Sequence, residues 1–181
     1  MKRFLIILLF PIFSGCYFQE FHLINKNGFK ERVFENLYQG SIWNGIDLKA
    51  TIKAVYMNDV DNKSFKDDEI FFISLYIFDD LQSEEKRGIK NPFYSIYLNG
   101  QKPYKVEEVT EESELYEKIS FSTNWFRNYL VYFYPVDSDN LQLKFEHNHF
   151  GKVVIQHTKG SGEIRDYPTV IEKLKLNGSP Q

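Results

Sequence analysis

Alternation of apolar and polar residues with a period of two is the feature that most restricts the fold of this chain. Between Asp47 and Tyr56 every second residue is apolar, while aspartate, lysine or threonine occupies the intervening positions up to Lys53. Successive side chains of a strand point to opposite faces of a sheet, whereas a helix repeats every 3.6 residues. The pattern therefore predicts a strand with one buried face and one solvent-exposed face. Residues 141–146 show the same alternation.

Other apolar segments bounded by turn residues predict further strands. The continuous run Ile70–Phe78 favours a strand covered on both faces. Phe93–Leu98 ends at Asn99-Gly100, the strongest two-residue hairpin signal, so Lys102–Val109 is expected to return beside it. Pro103, near the start of that returning segment, favours an edge strand.

The remaining segments complete the expected fold. Gly28–Leu37 has apolar residues at helical spacing and could form one short helix, and Thr110–Glu117 could form a loop or a single helical turn. Further strands are expected at Lys118–Ser122, Tyr129–Tyr134, Lys152–Gln156 and Thr169–Leu176. About seven to nine short strands without βαβ alternation predict an all-β fold, an antiparallel β-sandwich of the immunoglobulin-like type.

The N-terminus has the order of a secretory signal. Two basic residues follow Met1, an apolar run reaches Phe13, and Ser14-Gly15 precede Cys16. A basic start, an apolar centre and a small-residue cleavage site are the parts of a signal peptide. Because the apolar run is about half of the ~20 residues that a transmembrane helix needs, we expect a segment that is removed.

Phe13-Ser14-Gly15-Cys16 resembles the lipobox of bacterial lipoproteins. In that family an aliphatic residue, a small residue and Gly or Ala precede a cysteine whose thiol receives a diacylglyceryl group. Phe13 departs from the pattern, in which leucine is usual, and the resemblance covers residues 1–16 only. It implies cleavage between Gly15 and Cys16 and lipidation of Cys16. The chain has one cysteine, and an unpaired cysteine in a secreted protein needs an explanation, which lipidation supplies.

This resemblance sets the expected domain organisation and location. Residues 1–15 would be the signal peptide, residues 16–46 a lipid-anchored tether, and residues 47–181 the β-sandwich domain. Two or more acyl chains such as palmitate hold a protein stably on a membrane. The expected location is the cell envelope, facing the periplasm or the cell surface. No aspartate follows Cys16, which in this family favours the outer membrane.

Charge and composition exclude several classes of protein. The chain has 22 Lys and Arg against 25 Asp and Glu, so loss of Lys2 and Arg3 with the signal peptide would leave a net charge of −5. Nucleic-acid binding needs a basic surface, so no nucleic-acid partner is expected. No cofactor motif is visible, and no cofactor is expected. With one cysteine no intrachain disulfide can form, so packing of the 17 Phe and 12 Tyr residues must stabilise the core.

His147 and His149 are the candidates for a metal site. Two residues apart on a strand, they would face the same side, and histidine is a common ligand of zinc and copper. A site needs at least a third ligand, for which His157 is the obvious candidate. If the chain turns back near Gly151, His157 lies opposite about Gln142, several residues from the pair. The spacing therefore favours two polar residues at a hairpin end over a metal site.

Calcium binding and nucleophilic catalysis find less support in the sequence. Asp59–Glu69 is rich in carboxylates, but an EF-hand loop counted from Asp59 would need glycine and glutamate where Ser64 and Ile70 stand. The segment therefore indicates a solvated acidic loop. No Gly-x-Ser-x-Gly motif occurs, and no catalytic residue is predicted.

Trp125, Phe126 and Arg127 are candidates for a binding surface. An exposed aromatic residue beside arginine is typical of an interface anchor, and the alternative is an aromatic plug under the end of the sandwich. The sequence supports two functions of different classes. One is a non-enzymatic envelope lipoprotein that binds a protein or glycan partner, and the other is a periplasmic metal-binding protein or small enzyme that uses His147 and His149. We favour the first, which expects alanine at either histidine to leave the fold intact.

Overall fold

The computed structural model describes residues 28–78, 88–119, 121, 123 and 125–160. Their eight strands form two antiparallel sheets, so the expected all-β sandwich is confirmed. In chain order the elements are α1 (Gly28–Glu35), β1 (Leu37–Asn44), β2 (Asp47–Tyr56), α2 (Met57–Val60), β3 (Glu69–Ile77), β4 (Tyr94–Leu98), β5 (Lys105–Glu108), α3 (Glu114–Lys118), β6 (Arg127–Phe133), β7 (Asn140–His147) and β8 (Gly151–Thr158). Among these residues, no helix is long and apolar enough to cross a membrane.

The strand order from β2 to β8 is that of an immunoglobulin constant-type sandwich. The five-stranded sheet has the order β1-β2-β3-β6-β5, and the three-stranded sheet has the order β4-β7-β8. In the immunoglobulin order, the first, second, fifth and fourth strands form one sheet, and the third, sixth and seventh form the other. Strands β2 to β8 reproduce this order, and β1 is an additional strand paired antiparallel with β2.

The main core fills the space between the two sheets. Strands β2, β3, β4, β6 and β7 contribute alternate side chains to it, as the alternation in β2 and β7 predicts. Its members include Ala50, Ile52, Ala54, Phe71, Ile73, Leu75, Ile96, Leu98, Val131, Phe133, Leu141, Leu143 and Phe145. All of these side chains are buried.

A second core lies on the other face of the five-stranded sheet, under the three short helices. It joins Val55, Ile70 and Phe72 of the sheet to helix residues, together with Val109 and Ile119. The helix residues are Val33 from α1, Met57 and Val60 from α2, and Leu115 and Tyr116 from α3. Strand β3 is therefore covered on both faces, which confirms the interpretation of its continuous apolar run.

The hairpin expected after β4 is not formed, although the turn is. Asn99 and Gly100 have positive φ of 47° and 86°, and Leu98 bridges Gln101. The chain then crosses to the other sheet, where β5 pairs with β6. The Asn99 side chain is used instead to hold β7, since its Nδ2 donates to Asn140 O (3.1 Å) and its Oδ1 accepts from Gln142 N (2.6 Å). Strand β5 lies at a sheet edge, as Pro103 predicts.

Two other segments differ from expectation. The strand expected at Lys118–Ser122 is wrong for its described residues, because α3 ends at Lys118 and Phe121 packs against the second core. Residues 28–46, expected to be tether, contain α1, close to the predicted helix, and β1, which is hydrogen-bonded to β2. The sandwich therefore begins before Asp47. The strand expected at Thr169–Leu176 lies outside the described residues.

Close approach of β1 to β8 gives a test of the packing on this side of the sandwich. A Cβ added at Gly40 would overlap Val153 Cγ1. We therefore expect Gly40→Ala to lower the free energy of unfolding by about 1–3 kcal/mol, as overpacking does. Urea unfolding of Gly40→Ala, Val153→Ala and the double variant measures the coupling. Because Val153→Ala removes the overlapping methyl groups, the double variant should be more stable than the sum of the single effects predicts, and strict additivity would contradict the contact.

Candidate functional site

Five polar side chains meet at one end of the sandwich and form an end cluster (Tyr56, Asp59, Glu69, His157 and Lys159). Glu69 is its centre, with only 4% of its surface exposed. Its Oε2 accepts from the Tyr56 hydroxyl, and its Oε1 accepts from Lys159 Nζ at 2.6 Å and from the Val136 amide at 3.0 Å. A buried carboxylate is costly unless charge and hydrogen bonds compensate it. Here a cation, a phenol and an amide do so.

The second half of the end cluster is a histidine–aspartate pair. His157 Nε2 lies 2.8 Å from Asp59 Oδ2, which also accepts from the Gly160 amide at 2.9 Å. The imidazole is 3% exposed and packs against the rings of Tyr38 and Tyr56, with centroids 5.7 and 4.9 Å away. Its Nδ1 is buried and has no hydrogen-bond partner among the described residues.

These contacts connect β8 to the other sheet. His157 lies near the end of β8 and Lys159 directly follows that strand. Tyr56 and Glu69 belong to β2 and β3, and Asp59 belongs to α2. Burial, followed by the hydrogen bond to Glu69, raises the pKa of the Tyr56 phenol far above its ordinary value. The phenol therefore stays protonated and keeps donating to Glu69. The end cluster is suited to fixing the two sheets together.

No nucleophilic side chain is hydrogen-bonded to the imidazole of the end cluster among the described residues. An aspartate–histidine pair activates a nucleophile only when a serine, cysteine, threonine or water lies within hydrogen-bond reach of the imidazole. Among the described side chains, no hydroxyl or thiol hydrogen-bonds to His157, whose ring nitrogens contact Asp59 or remain unpaired.

An open groove lies beside the end cluster, on the part of the β7–β8 hairpin farthest from its turn. It encloses about 850 Å³. Residues from β1, β7 and β8 line it, including Tyr38, Asn140, Gln142, Gln156, His157 and Thr158. Asn140, Gln142, Gln156 and Thr158 are exposed and alternate with the buried core residues of the same strands. The groove is thus floored by the outer face of the three-stranded sheet.

The three histidines considered from the sequence are not brought together. His147 pairs with Gly151 and His157 pairs with Leu141, so they are six register positions apart on the hairpin, about 20 Å at 3.3 Å per residue. Strand β7 ends at His147 and His149 lies in the turn after it, so the two do not share a strand as expected, although their rings lie 6.0 Å apart. No group of three side chains suited to a metal is present in the described part of the chain.

His147 instead organises the hairpin turn. Its Nδ1 accepts from the amides of His149 (3.0 Å) and Phe150 (3.2 Å). The imidazole stacks on the Phe150 ring at a centroid distance of 4.3 Å and meets the Tyr94 ring edge-on at 4.6 Å. The side chain is 9% exposed. These contacts make His147 a structural residue of the turn.

The acidic segment after α2 is also used for local structure. Asp61 accepts from the Ser64 hydroxyl at 2.7 Å, and Asp68 Oδ2 accepts from the Tyr104 hydroxyl at 2.5 Å. With Asp59 paired to His157, these three carboxylates have separate partners.

Trp125 is the most exposed aromatic side chain among the described residues, at 77%, so it is not a plug under the sandwich. Phe126 is half-buried, with its ring 5.7 Å from Tyr76 and Lys53 Nζ 4.5 Å above it. Arg127 Nη1 lies 3.3 Å from Glu108 Oε1. Trp125 therefore presents an exposed ring, while its neighbours Phe126 and Arg127 contact other side chains. Cys16 and the cleavage position at Gly15 lie outside the described residues.

No protein-family model matches this chain, and no curated protein matches it in sequence.

Removal of the cation that pairs with the buried Glu69 tests the end cluster. Lys159→Met keeps the length of the side chain but leaves Glu69 without its counter-charge. We expect the free energy of unfolding in urea at neutral pH to fall by about 2 kcal/mol. Lys152→Met, at an exposed lysine of β8, is the matched control and should change stability by less than about 0.5 kcal/mol. Equal effects of the two substitutions would show that the Lys159–Glu69 pair contributes nothing.

Alanine substitution of His147 and of His149 gives a second test. It revises the expectation that alanine at either position has no effect on the fold. His147→Ala leaves two turn amides without an acceptor and removes a stacked ring, so we expect a loss of about 1–3 kcal/mol in unfolding free energy. His149→Ala, in the same turn but exposed, should change it by less than about 0.5 kcal/mol. Thermal and urea unfolding monitored by circular dichroism measure both. A larger effect at position 149 would contradict the assigned roles.

Proposed function

We propose that this protein is a lipid-anchored protein of the bacterial cell envelope whose β-sandwich is a non-enzymatic binding module. The lipid anchor in this proposal is supported by the sequence of the N-terminus. Phe13-Ser14-Gly15-Cys16 resembles a lipobox, and Cys16 is the only cysteine of the chain. Lipidation would explain why this one thiol stands directly after a signal-like segment.

The open groove is the observation that supports a binding role. A volume of about 850 Å³ is within the range of ligand sites. Its floor is a pair of hydrogen-bonded strands, and rigid elements position binding side chains better than loops do. Beside it, the titratable residues of the end cluster are paired with one another. This arrangement favours recognition over chemistry.

The envelope location is part of the proposal. No aspartate follows Cys16, which by resemblance favours the outer membrane over the inner one. The protein would face the periplasm or the cell surface, where a partner or ligand is a protein or a glycan. The alternative of a metal-binding protein or enzyme at His147 and His149 gains no support, because His147 Nδ1 is used within the turn.

Metabolic labelling tests the anchor. Cells that express the full chain are grown with radiolabelled palmitate, and the protein is isolated and analysed for label. We expect label in the unaltered protein and none in Cys16→Ser, because a hydroxyl cannot form the thioether. Ser14→Ala, which keeps a small residue before the cleavage site, is the matched control and should remain labelled. Fractionation of membranes from the same cells should place the labelled protein in a membrane fraction.

Label that enters Cys16→Ser equally, or absence of label from the unaltered protein, would contradict the anchor. The binding role would then stand on the groove alone.

A further inference from the structure

Two glutamines form a matched pair on the floor of the groove. Gln142 of β7 and Gln156 of β8 are direct cross-strand partners, so their Cβ atoms lie about 5 Å apart on the same face. Both side chains are exposed. Each primary amide offers two donors and one acceptor oxygen. A ligand in the groove therefore meets two adjacent amides on a fixed spacing.

The floor that carries these amides is held by its own hydrogen bonds. Asn99 bonds the β7 backbone at residues 140 and 142, and Thr158 Oγ1 donates to Asn140 Oδ1 at 3.2 Å. At the rim, Tyr38 packs edge-on against His157 and lines the groove. The polar floor and the aromatic rim are in place before any ligand arrives.

The groove offers little free charge. Among the lining residues, the cation of Lys159 is bound to the buried Glu69 carboxylate, and His157 is paired with Asp59. The remaining polar lining consists of amides and hydroxyls. A ligand that carries a charge would leave its hydration shell without gaining an opposite charge, which is unfavourable. The groove therefore fits a neutral ligand that is rich in hydrogen-bonding groups.

We propose that this groove binds a neutral oligosaccharide through Gln142 and Gln156. Sugar hydroxyls both donate and accept, and neighbouring hydroxyls match an amide, which also does both. An open groove on a sheet face admits a chain of several sugar units. The inference rests on the proposed binding role and specifies its ligand class, and it does not depend on lipidation.

The experiment uses the full chain purified in a sugar-free zwitterionic detergent, since a maltoside detergent would compete for the site. The probes are immobilised cellopentaose, maltopentaose, xylopentaose and chitopentaose, with heparin and polygalacturonate as acidic comparisons. A positive probe is then titrated in solution by calorimetry. We expect saturable binding of at least one neutral probe. The Gln142→Ala/Gln156→Ala double variant should bind it at least about tenfold more weakly, because both amide contacts are lost.

Lys152→Ala is the matched control, because residue 152 is exposed on β8 and on the same face as Gln156. It should bind as the unaltered protein does, and circular dichroism should show that all variants are folded. If the double variant does not fold, Gln156→Glu alone should abolish the same binding by placing an unpaired charge in the groove.

The proposal is overturned if no neutral oligosaccharide binds, if binding survives loss of both amides, or if only the acidic probes bind. Because Cys16→Ser can be measured in the same assay, failure of the anchor and failure of the saccharide site are separate results. Saccharide binding by Cys16→Ser would support the site even where lipidation fails. Labelled palmitate with no saccharide bound would overturn only the ligand assignment.

Discussion

Burial of the five-stranded sheet on both faces is the constraint on which the rest of the structure depends. Strand β3 is mostly apolar and is buried on both faces, so it needs a cover on each side. The three-stranded sheet covers one face, and α1, α2 and α3 cover the other. No disulfide within the chain supports this packing, since Cys16 is the only cysteine. The helices are therefore needed to cover the sheet. The residues before Asp47 belong to the fold, because β1 extends the sheet and α1 covers part of its outer face.

Polar contacts add to the apolar packing in holding the two sheets together. The end of β8 has only one strand neighbour in its own sheet, β7, but Lys159 binds Glu69 of β3 in the other sheet and His157 binds Asp59 of α2. Burial makes these pairs directional, because a buried charge without its partner is far more costly than a surface charge. The position of β8 is thereby fixed, and so are Gln156 and Thr158, which line the groove from the same strand.

Much of the fold could be predicted from local sequence patterns. The features that could not be predicted depend on contacts between residues distant in the chain. The alternation in β2 and β7 and the uniform run in β3 identified these strands because burial imposes the period of two directly. The turn at Asn99-Gly100 was visible, but the sheet that the chain enters afterwards depends on pairing with β6. The site was missed for a similar reason. A register placing His157 opposite Gln142 differs by one residue from the observed pairing with Leu141, and one residue moves a side chain to the other face. His157 is consequently buried beside Asp59, a partner 98 residues away.

The arrangement of layers separates the proposed attachment from the proposed binding face. The described fold begins at Gly28 in α1, which packs on the outer face of the five-stranded sheet through Val33. The groove is floored by the outer face of the three-stranded sheet, where Gln142 and Gln156 are exposed. Both sheets and the main core lie between the two. A chain held through its N-terminal side would therefore not need to place the groove against the membrane, and a ligand could reach the amides from solution. The net negative charge of the protein gives it no long-range attraction to an anionic envelope surface. Because the groove is also without free charge, recognition of a ligand must come from contacts made within the groove.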